Sequence, residues 1–61
     1  MPLIDVKMYK GRLTPENEGE LIAALTDAVG QVLGDKAREQ TWVVLQEVPP
    51  AHWGIGGTPG A

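Results

Sequence analysis

The 61-residue chain lacks cysteine and has a single histidine, His52. It can therefore form no disulfide, and it lacks the thiolate and imidazole ligands of a zinc cage. Its five basic residues are scattered, which argues against a nucleic-acid partner. No apolar run reaches the roughly 18 residues of a membrane span, and no signal-peptide pattern precedes the first strand. We expect a cytoplasmic protein without a membrane partner, a metal or a nucleotide cofactor.

The small size of the chain limits how it can be stabilised. We expect residues 1–61 to form a single domain, and a chain of this length buries only about 60% of its unfolded surface. Small domains usually add disulfides, a metal or partner subunits. With the first two excluded, oligomerisation remains.

Two segments are predicted to be strands. Residues 3–9 alternate, with Ile4, Val6 and Met8 on one face, which indicates a strand with one well-buried face. Gly11 ends this pattern at a turn. Residues 41–48 form the second strand, where a nearly continuous apolar run indicates cover on both faces.

A helix is predicted between the strands. Thr14 can cap it, Pro15 suits its first position and Gly34 ends it. Gly19 and Gly30 each weaken the helix by about 1 kcal/mol relative to alanine. Packing must make up for this cost, unless the close approach of another backbone explains why glycine stands there. Residues 35–40 read as a polar connection. The apolar stripe of the helix consists of Leu21, Ile22, Leu25, Ala28, Val29, Val32 and Leu33.

The order of elements predicts an α+β fold built from a single β-α-β unit. Its two strands should be parallel and joined by a right-handed crossover. The glycine-rich tail predicts a tight turn or short hairpin at residues 54–57. One helix covers one sheet face only, and the open face and edges predict self-association into a larger sheet.

Pro2 directly follows the initiator methionine. Removal of Met1 would convert its amide nitrogen into a free secondary amine. A free α-amine titrates near 7.7–8.0, and an apolar pocket or a nearby arginine lowers that value towards neutrality. Such an amine could act as a base at physiological pH. The alternative is that Pro2 only begins an edge strand, where proline is tolerated.

Together these features resemble the 4-oxalocrotonate tautomerase family. The similarity rests on Pro2, the alternating strand, the Gly11-Arg12 turn and the sequence HWGIGG at residues 52–57. It covers nearly the whole chain, from Pro2 to about Gly57. The resemblance implies β-α-β subunits that pair into four-stranded sheets, with trimers of dimers forming a hexamer. It also implies a role in aromatic catabolism, without a cofactor.

The resemblance further implies a reaction and residues that carry it. A tautomerase of this kind interconverts the enol, a 2-hydroxydienoate, and the conjugated keto form of a small unsaturated 2-oxo acid. Pro2 would be the general base, and Arg12 would bind the carboxylate of the substrate. Trp53 occupies the place of the aromatic residue that keeps the pocket apolar.

One position departs from the family pattern. The second arginine of the family lies five residues before the glutamate that matches Glu47, and Trp42 stands there in this chain. Arg38 lies four residues earlier and could reach the pocket of a neighbouring subunit. Three explanations are open: a different substrate, a related subunit that supplies the arginine in a heterohexamer, or a weak enzyme.

Two alternative functions follow from other residues. Asp5 and Glu47 are the only carboxylates in the predicted strands, and a carboxylate that activates water would suit a cofactor-independent hydratase or dehalogenase. Trp42 suggests a non-catalytic subunit that completes a hetero-oligomer.

Overall fold

The computed structural model describes residues 1–60 and confirms the β-α-β unit. Strand β1 spans Leu3–Tyr9, helix α1 spans Glu18–Leu33 and strand β2 spans Trp42–Val48. The two strands are adjacent and parallel, in a register that pairs Leu3 with Trp42 and Tyr9 with Val48. Parallel neighbours joined through a helix are the expected result of this element order.

The sheet face towards α1 carries the apolar residues that the alternation predicted. Successive side chains in a strand point to opposite faces, and partners in register share a face. Half-buried side chains line this inner face: Ile4, Val6 and Met8 from β1, and Val43 and Leu45 from β2. From α1, Leu21, Leu25 and Val29 are half-buried at a spacing of four residues, as a helix face requires.

The outer sheet face is open in the single chain. Leu3, Trp42 and Val44 lie on it with 57%, 61% and 42% of their surfaces exposed. The prediction that β2 is covered on both faces is therefore wrong for one chain, because helix α1 packs against the inner face. This face also carries polar residues, with the Lys7 ammonium bonded to the Asp5 carboxylate at 2.6 Å and to the Gln46 side chain at 2.7 Å.

The start of α1 is set by a reciprocal pair one turn before the helix. The Asn17 amide donates to the Thr14 hydroxyl at 3.1 Å, and the Thr14 amide donates to the Asn17 side-chain oxygen at 2.8 Å. This is the geometry of a capping box. Thr14 caps this turn, but the residue that precedes α1 is Asn17. The prediction that Thr14 caps the helix and Pro15 begins it is therefore wrong by about one turn, because residues 15–17 form a turn and α1 begins at Glu18.

The predicted polar connection at residues 35–40 is wrong, because the chain forms a second helix there. Helix α2 spans Asp35–Glu39 and follows Gly34, whose φ of 96° ends α1 in a conformation that glycine adopts readily. Arg38 of α2 contacts α1 through Asp27. A helix of five residues is too short for an apolar period to appear in the sequence. A helix this short is also not stable by itself, so α2 depends on its contact with α1.

The tail forms the predicted hairpin. A single 3-10 turn at Pro50–His52 leads into β3 at Gly54–Ile55, which pairs antiparallel with β4 at Thr58–Pro59. Gly56 and Gly57 connect them with φ values of 60° and 87°. Positive φ at both central residues is the signature of a type I′ turn, which matches the twist of a two-residue hairpin.

The described chain lacks a fully buried core. No side chain of residues 1–60 is buried, and large apolar residues outside strands β1 and β2 are exposed, among them Val32, Leu33 and Ile55 at 81%, 63% and 69%. A monomer with this much exposed apolar surface is marginal, which is the deficit predicted from its length. Within residues 1–60, no helix has the length and apolar character needed to cross a bilayer.

Candidate active site

Pro2 lies at the amino end of the parallel pair of strands. Its carbonyl accepts a hydrogen bond from the Trp42 amide at 2.9 Å, so the residue is tied to the start of β2. Pro2 is half-buried, while the Trp42 side chain stands exposed on the outer face beside Leu3. The link between Pro2 and Trp42 therefore runs through the backbone.

Arg38 lies near the same end of the sheet, but its guanidinium is turned towards α1. It binds Asp27 through Nε at 2.9 Å and through a terminal nitrogen at 2.8 Å. Its aliphatic stem covers Gly30, where an added Cβ would meet three Arg38 carbons at 3.0 to 3.2 Å. The close approach that Gly30 permits is thus made by a side chain and not by another backbone. In this conformation Arg38 does not face Pro2.

Arg12 lies at the other end of β1, beside an open groove of about 400 Å³. Asn17 also lines this groove, and its side-chain amide donates to the Arg12 carbonyl at 3.0 Å. Sequence reasoning did not assign Asn17 to the site, although the Thr14-x-x-Asn17 spacing was a usable signal. The lining residues are Met8, Arg12, Leu13, Asn17, Glu20 and Leu21.

The turn that carries Arg12 is held by Glu47 from strand β2. One Glu47 oxygen accepts hydrogen bonds from three successive amides, those of Gly11, Arg12 at 3.0 Å and Leu13 at 3.3 Å. Successive amides of this kind form a nest, a concavity that binds an anion. The amide hydrogen bonds, that of Gly11 foremost, hold the pKa of the Glu47 carboxyl below its ordinary value.

Trp53 lies at the same end of the sheet as Arg12 but on the other face. Its ring meets Tyr9 edge-to-face, with ring centroids 4.9 Å apart and planes at 88°. A second groove, of about 350 Å³, runs past Trp53, His52 and Lys7. Lys7 belongs to the outer face and Met8 to the inner face, so the grooves at Trp53 and at Arg12 open on opposite sides of β1.

The four predicted site residues do not come together within one chain. Arg12 is bound to Glu47, which pairs in register with Met8, six residues beyond Pro2. At about 3.3 Å per strand residue, Pro2 and the Arg12 turn lie about 20 Å apart. Pro2 and Arg38 are at one end of the sheet, and Arg12 and Trp53 are at the other. A site that uses both ends must draw its residues from more than one subunit.

The two strand carboxylates are also separated. Asp5 lies on the outer face in its pair with Lys7, whereas Glu47 lies at the inner-face register position of Met8. A single chain thus offers no acid–base pair from these groups. Residues 1–60 contain no cluster of three His, Cys, Asp or Glu side chains that could hold a metal ion.

Comparison with known proteins adds independent information. The family model described as "Tautomerase enzyme" matches residues 2–61. The protein named "Probable tautomerase RSp0893" from Ralstonia nicotianae is 49% identical over 59 residues, covering 97% of this chain and 81% of its own length. "Probable tautomerase SAV1363" from Staphylococcus aureus is 37% identical over 57 residues, covering 93% and 90%.

Solved structures give the same grouping. The apo form of unfused 4-OT superposes with a TM-score of 0.81 at 35% identity, covering 98% of this chain and all of its own. TomN, described as a 4-oxalocrotonate tautomerase homologue in the tomaymycin biosynthetic pathway, superposes with a TM-score of 0.80 at 38% identity. That alignment covers 95% of this chain and 86% of TomN.

Proposed function

The chain belongs to the tautomerase family, which supports an isomerase activity of the tautomerase type, and we propose that it interconverts the enol and conjugated keto forms of a small unsaturated 2-oxo acid. The observation that carries the proposal is the position of Pro2. It is the second residue, and its carbonyl is anchored to Trp42 at the amino end of the sheet.

Pro2 acts in this proposal as the general base after removal of Met1. Its secondary amine accepts the proton of the enol hydroxyl, and the resulting ammonium returns the proton to a carbon of the substrate, so no atom is gained or lost. The amine must be neutral to accept the proton. An apolar pocket disfavours the charged form of such an amine and so favours the base at neutral pH.

Arg12 binds the carboxylate of the substrate in this scheme. A guanidinium meets a carboxylate with two parallel hydrogen bonds, which fixes the orientation of the substrate as well as holding it. Because Arg12 and Pro2 lie about 20 Å apart in one chain, they serve one site only if neighbouring subunits supply them. We therefore propose a homohexamer, or a heterohexamer with a related subunit, in which Trp53 contributes the aromatic wall.

The substrate that suits these residues has one carboxylate and an apolar remainder. Trp42, whose amide is bonded to the Pro2 carbonyl, carries an exposed indole, and the guanidinium of Arg38 is engaged by Asp27. A second carboxylate placed near Trp42 would lose its water without gaining a cation, which is costly. An aryl or alkyl end would instead pack against the ring.

The proposed setting is the cytoplasm and the breakdown of aromatic compounds. The absence of cysteine agrees with a reducing compartment. Aromatic catabolism is the setting that the family resemblance implies for small unsaturated 2-oxo acids.

The decisive experiment combines the intact mass of untagged protein with ketonisation of phenylenolpyruvate. We expect the mass to lack Met1, and Pro2→Ala to lower kcat/KM by about 10²- to 10⁴-fold, the usual contribution of a general base. Pro15→Ala, an exposed proline in the turn before α1, is the matched control and should retain activity.

Two outcomes would contradict the proposal. Retained Met1 leaves the Pro2 nitrogen an amide with no basic lone pair. Equal rates for the wild type and Pro2→Ala, whose N-terminus keeps a primary amine, would show that the secondary amine of Pro2 is not required. The native mass of the same sample addresses the non-catalytic alternative, because a stable homo-oligomer argues against an obligate partner.

A further inference from the structure

The turn that carries Arg12 depends on a carboxylate from a distant part of the chain. Glu47 lies 36 residues after Gly11, and its oxygen accepts the amides of Gly11, Arg12 and Leu13. Gly11 has a φ of 102°, and positive φ next to ordinary residues is what turns successive amides towards one point. The carboxylate and the glycine together define the path of the backbone at Arg12.

The choice of partner for the Glu47 carboxylate is informative. A carboxylate close to an arginine usually forms an ion pair with the guanidinium, which would occupy the donors that a substrate needs. Here Glu47 binds the Arg12 amide instead, and among residues 1–60 no ion pair involves Arg12. The guanidinium is left available while the backbone beneath it is held.

Holding that backbone matters because binding by arginine is geometric. The planar fork of a guanidinium matches a carboxylate only when its base is placed correctly, and misplacement by about 1 Å can cost about a hundredfold in rate. Besides Glu47, the Arg12 carbonyl is bonded by Asn17 at 3.0 Å, and the Lys10 amide is bonded to the Val48 carbonyl at 3.0 Å. Glu47 contributes three of these anchors from one atom.

We propose that Glu47 is a positioning residue for substrate binding, whose carboxylate fills the nest at residues 11–13 and so presents the Arg12 guanidinium to the substrate carboxylate. This inference rests on the proposed function, because it assigns Arg12 to substrate binding. Glu47 has no part in the chemistry of Pro2, so kcat should not depend on it.

The test is a double-mutant cycle between Glu47→Ala and Arg12→Ala, measured as KM and kcat for phenylenolpyruvate. We expect Glu47→Ala to raise KM about tenfold with kcat within about twofold, since directly coupled groups interact on this scale. In the Arg12→Ala background, the same change should alter KM less than about twofold. An equal rise in KM in both backgrounds would show a general structural effect and overturn the inference.

Two further variants separate positioning from folding. Glu39→Ala removes an exposed glutamate of α2 and should leave KM unchanged. Glu47→Gln keeps an acceptor oxygen for the nest but loses the charge, so its KM should lie between those of the wild type and Glu47→Ala. If Glu47→Ala fails to assemble by native mass, Glu47→Gln replaces it in the cycle, and a wild-type KM for that variant would overturn the inference.

A binding measurement keeps the inference testable if no turnover is found. Titration with trans-cinnamate, an unsaturated monocarboxylate, should give a dissociation constant that Arg12→Ala and Glu47→Ala both raise and Glu39→Ala does not. Absence of Pro2-dependent turnover together with this pattern would refute the proposed function alone. A dissociation constant for cinnamate that Glu47→Ala leaves unchanged, or no binding to the wild type, would refute the positioning role.

Discussion

Mixing two impaired variants should raise activity above that of either one if Pro2 and Arg12 act from different subunits. The perturbation is an equal mixture of Pro2→Ala and Arg12→Ala chains, unfolded together and refolded. Pro2 precedes Met8 by six residues, and the Arg12 turn is bound at the level of Met8 through Glu47. The resulting separation of about 20 Å cannot be closed by one arginine side chain.

The expected recovery follows from counting subunits. With random assembly, half of the sites receive an intact Pro2, and half of those receive an intact Arg12 from a neighbouring chain. About one quarter of the sites in a symmetric oligomer are then complete. A site built within one chain would give none, because every chain in the mixture lacks one of the two residues.

The assay is phenylenolpyruvate ketonisation on the refolded mixture, with native mass spectrometry to establish that mixed oligomers form. Wild type mixed equally with Pro2→Ala is the control, and about half of its sites should be active by the same counting. Activity no higher than that of the separate variants, in a sample whose mass shows mixed oligomers, would refute the shared site.

The two glycines of α1 should respond oppositely to alanine in urea unfolding at matched protein concentration. Gly19 has nothing within 4 Å of an added Cβ, so Gly19→Ala should stabilise by up to about 1 kcal/mol through helix propensity. Gly30→Ala should instead destabilise the protein by about 1 kcal/mol, because the new methyl group meets the stem of Arg38. Combining it with Arg38→Ala should restore the lost stability. Stabilisation by Gly30→Ala equal to that of Gly19→Ala would contradict this packing. Trp42→Arg should shift the kcat/KM preference from phenylenolpyruvate towards the dicarboxylate 2-hydroxymuconate by about tenfold, with Trp42→Leu as the uncharged control, because the new cation can pair with the second carboxylate. An unchanged ratio for Trp42→Arg would place residue 42 outside the pocket.

The contacts made by Glu47 could not be predicted from the sequence. The sequence shows Glu47 as a strand carboxylate and suggests that it could activate water. Its actual partners, the amides of residues 11–13, lie 34 to 36 positions away. No local pattern encodes such a contact, because it depends on which strand residue the parallel register brings beside the turn.

Helix α2 and the glycine at residue 30 likewise depend on a contact that the sequence pattern does not reveal. Residues 35–40 are polar and too few for a helical period to appear, so they were expected to be a connection. The contact between Arg38 and Asp27 draws α2 onto α1 and leaves no room for a side chain at residue 30. Glycine at residue 30 is therefore explained by packing. The sequence suggests a close approach there but does not identify Arg38 as the group that makes it.

The β-α-β order, the parallel pairing, the hairpin and the family were all predictable from the amino-acid pattern. Those features arise from short-range physics: the period of two in a strand, the stripe of a helix, positive φ at glycine and proline at a terminus. The folded chain was needed to show that Pro2 and Arg12 lie at opposite ends of the sheet, that the grooves at Arg12 and Trp53 open on opposite faces, and that Glu47 holds the turn. These depend on strand register and on the distance travelled along a strand, which act between residues far apart in the chain.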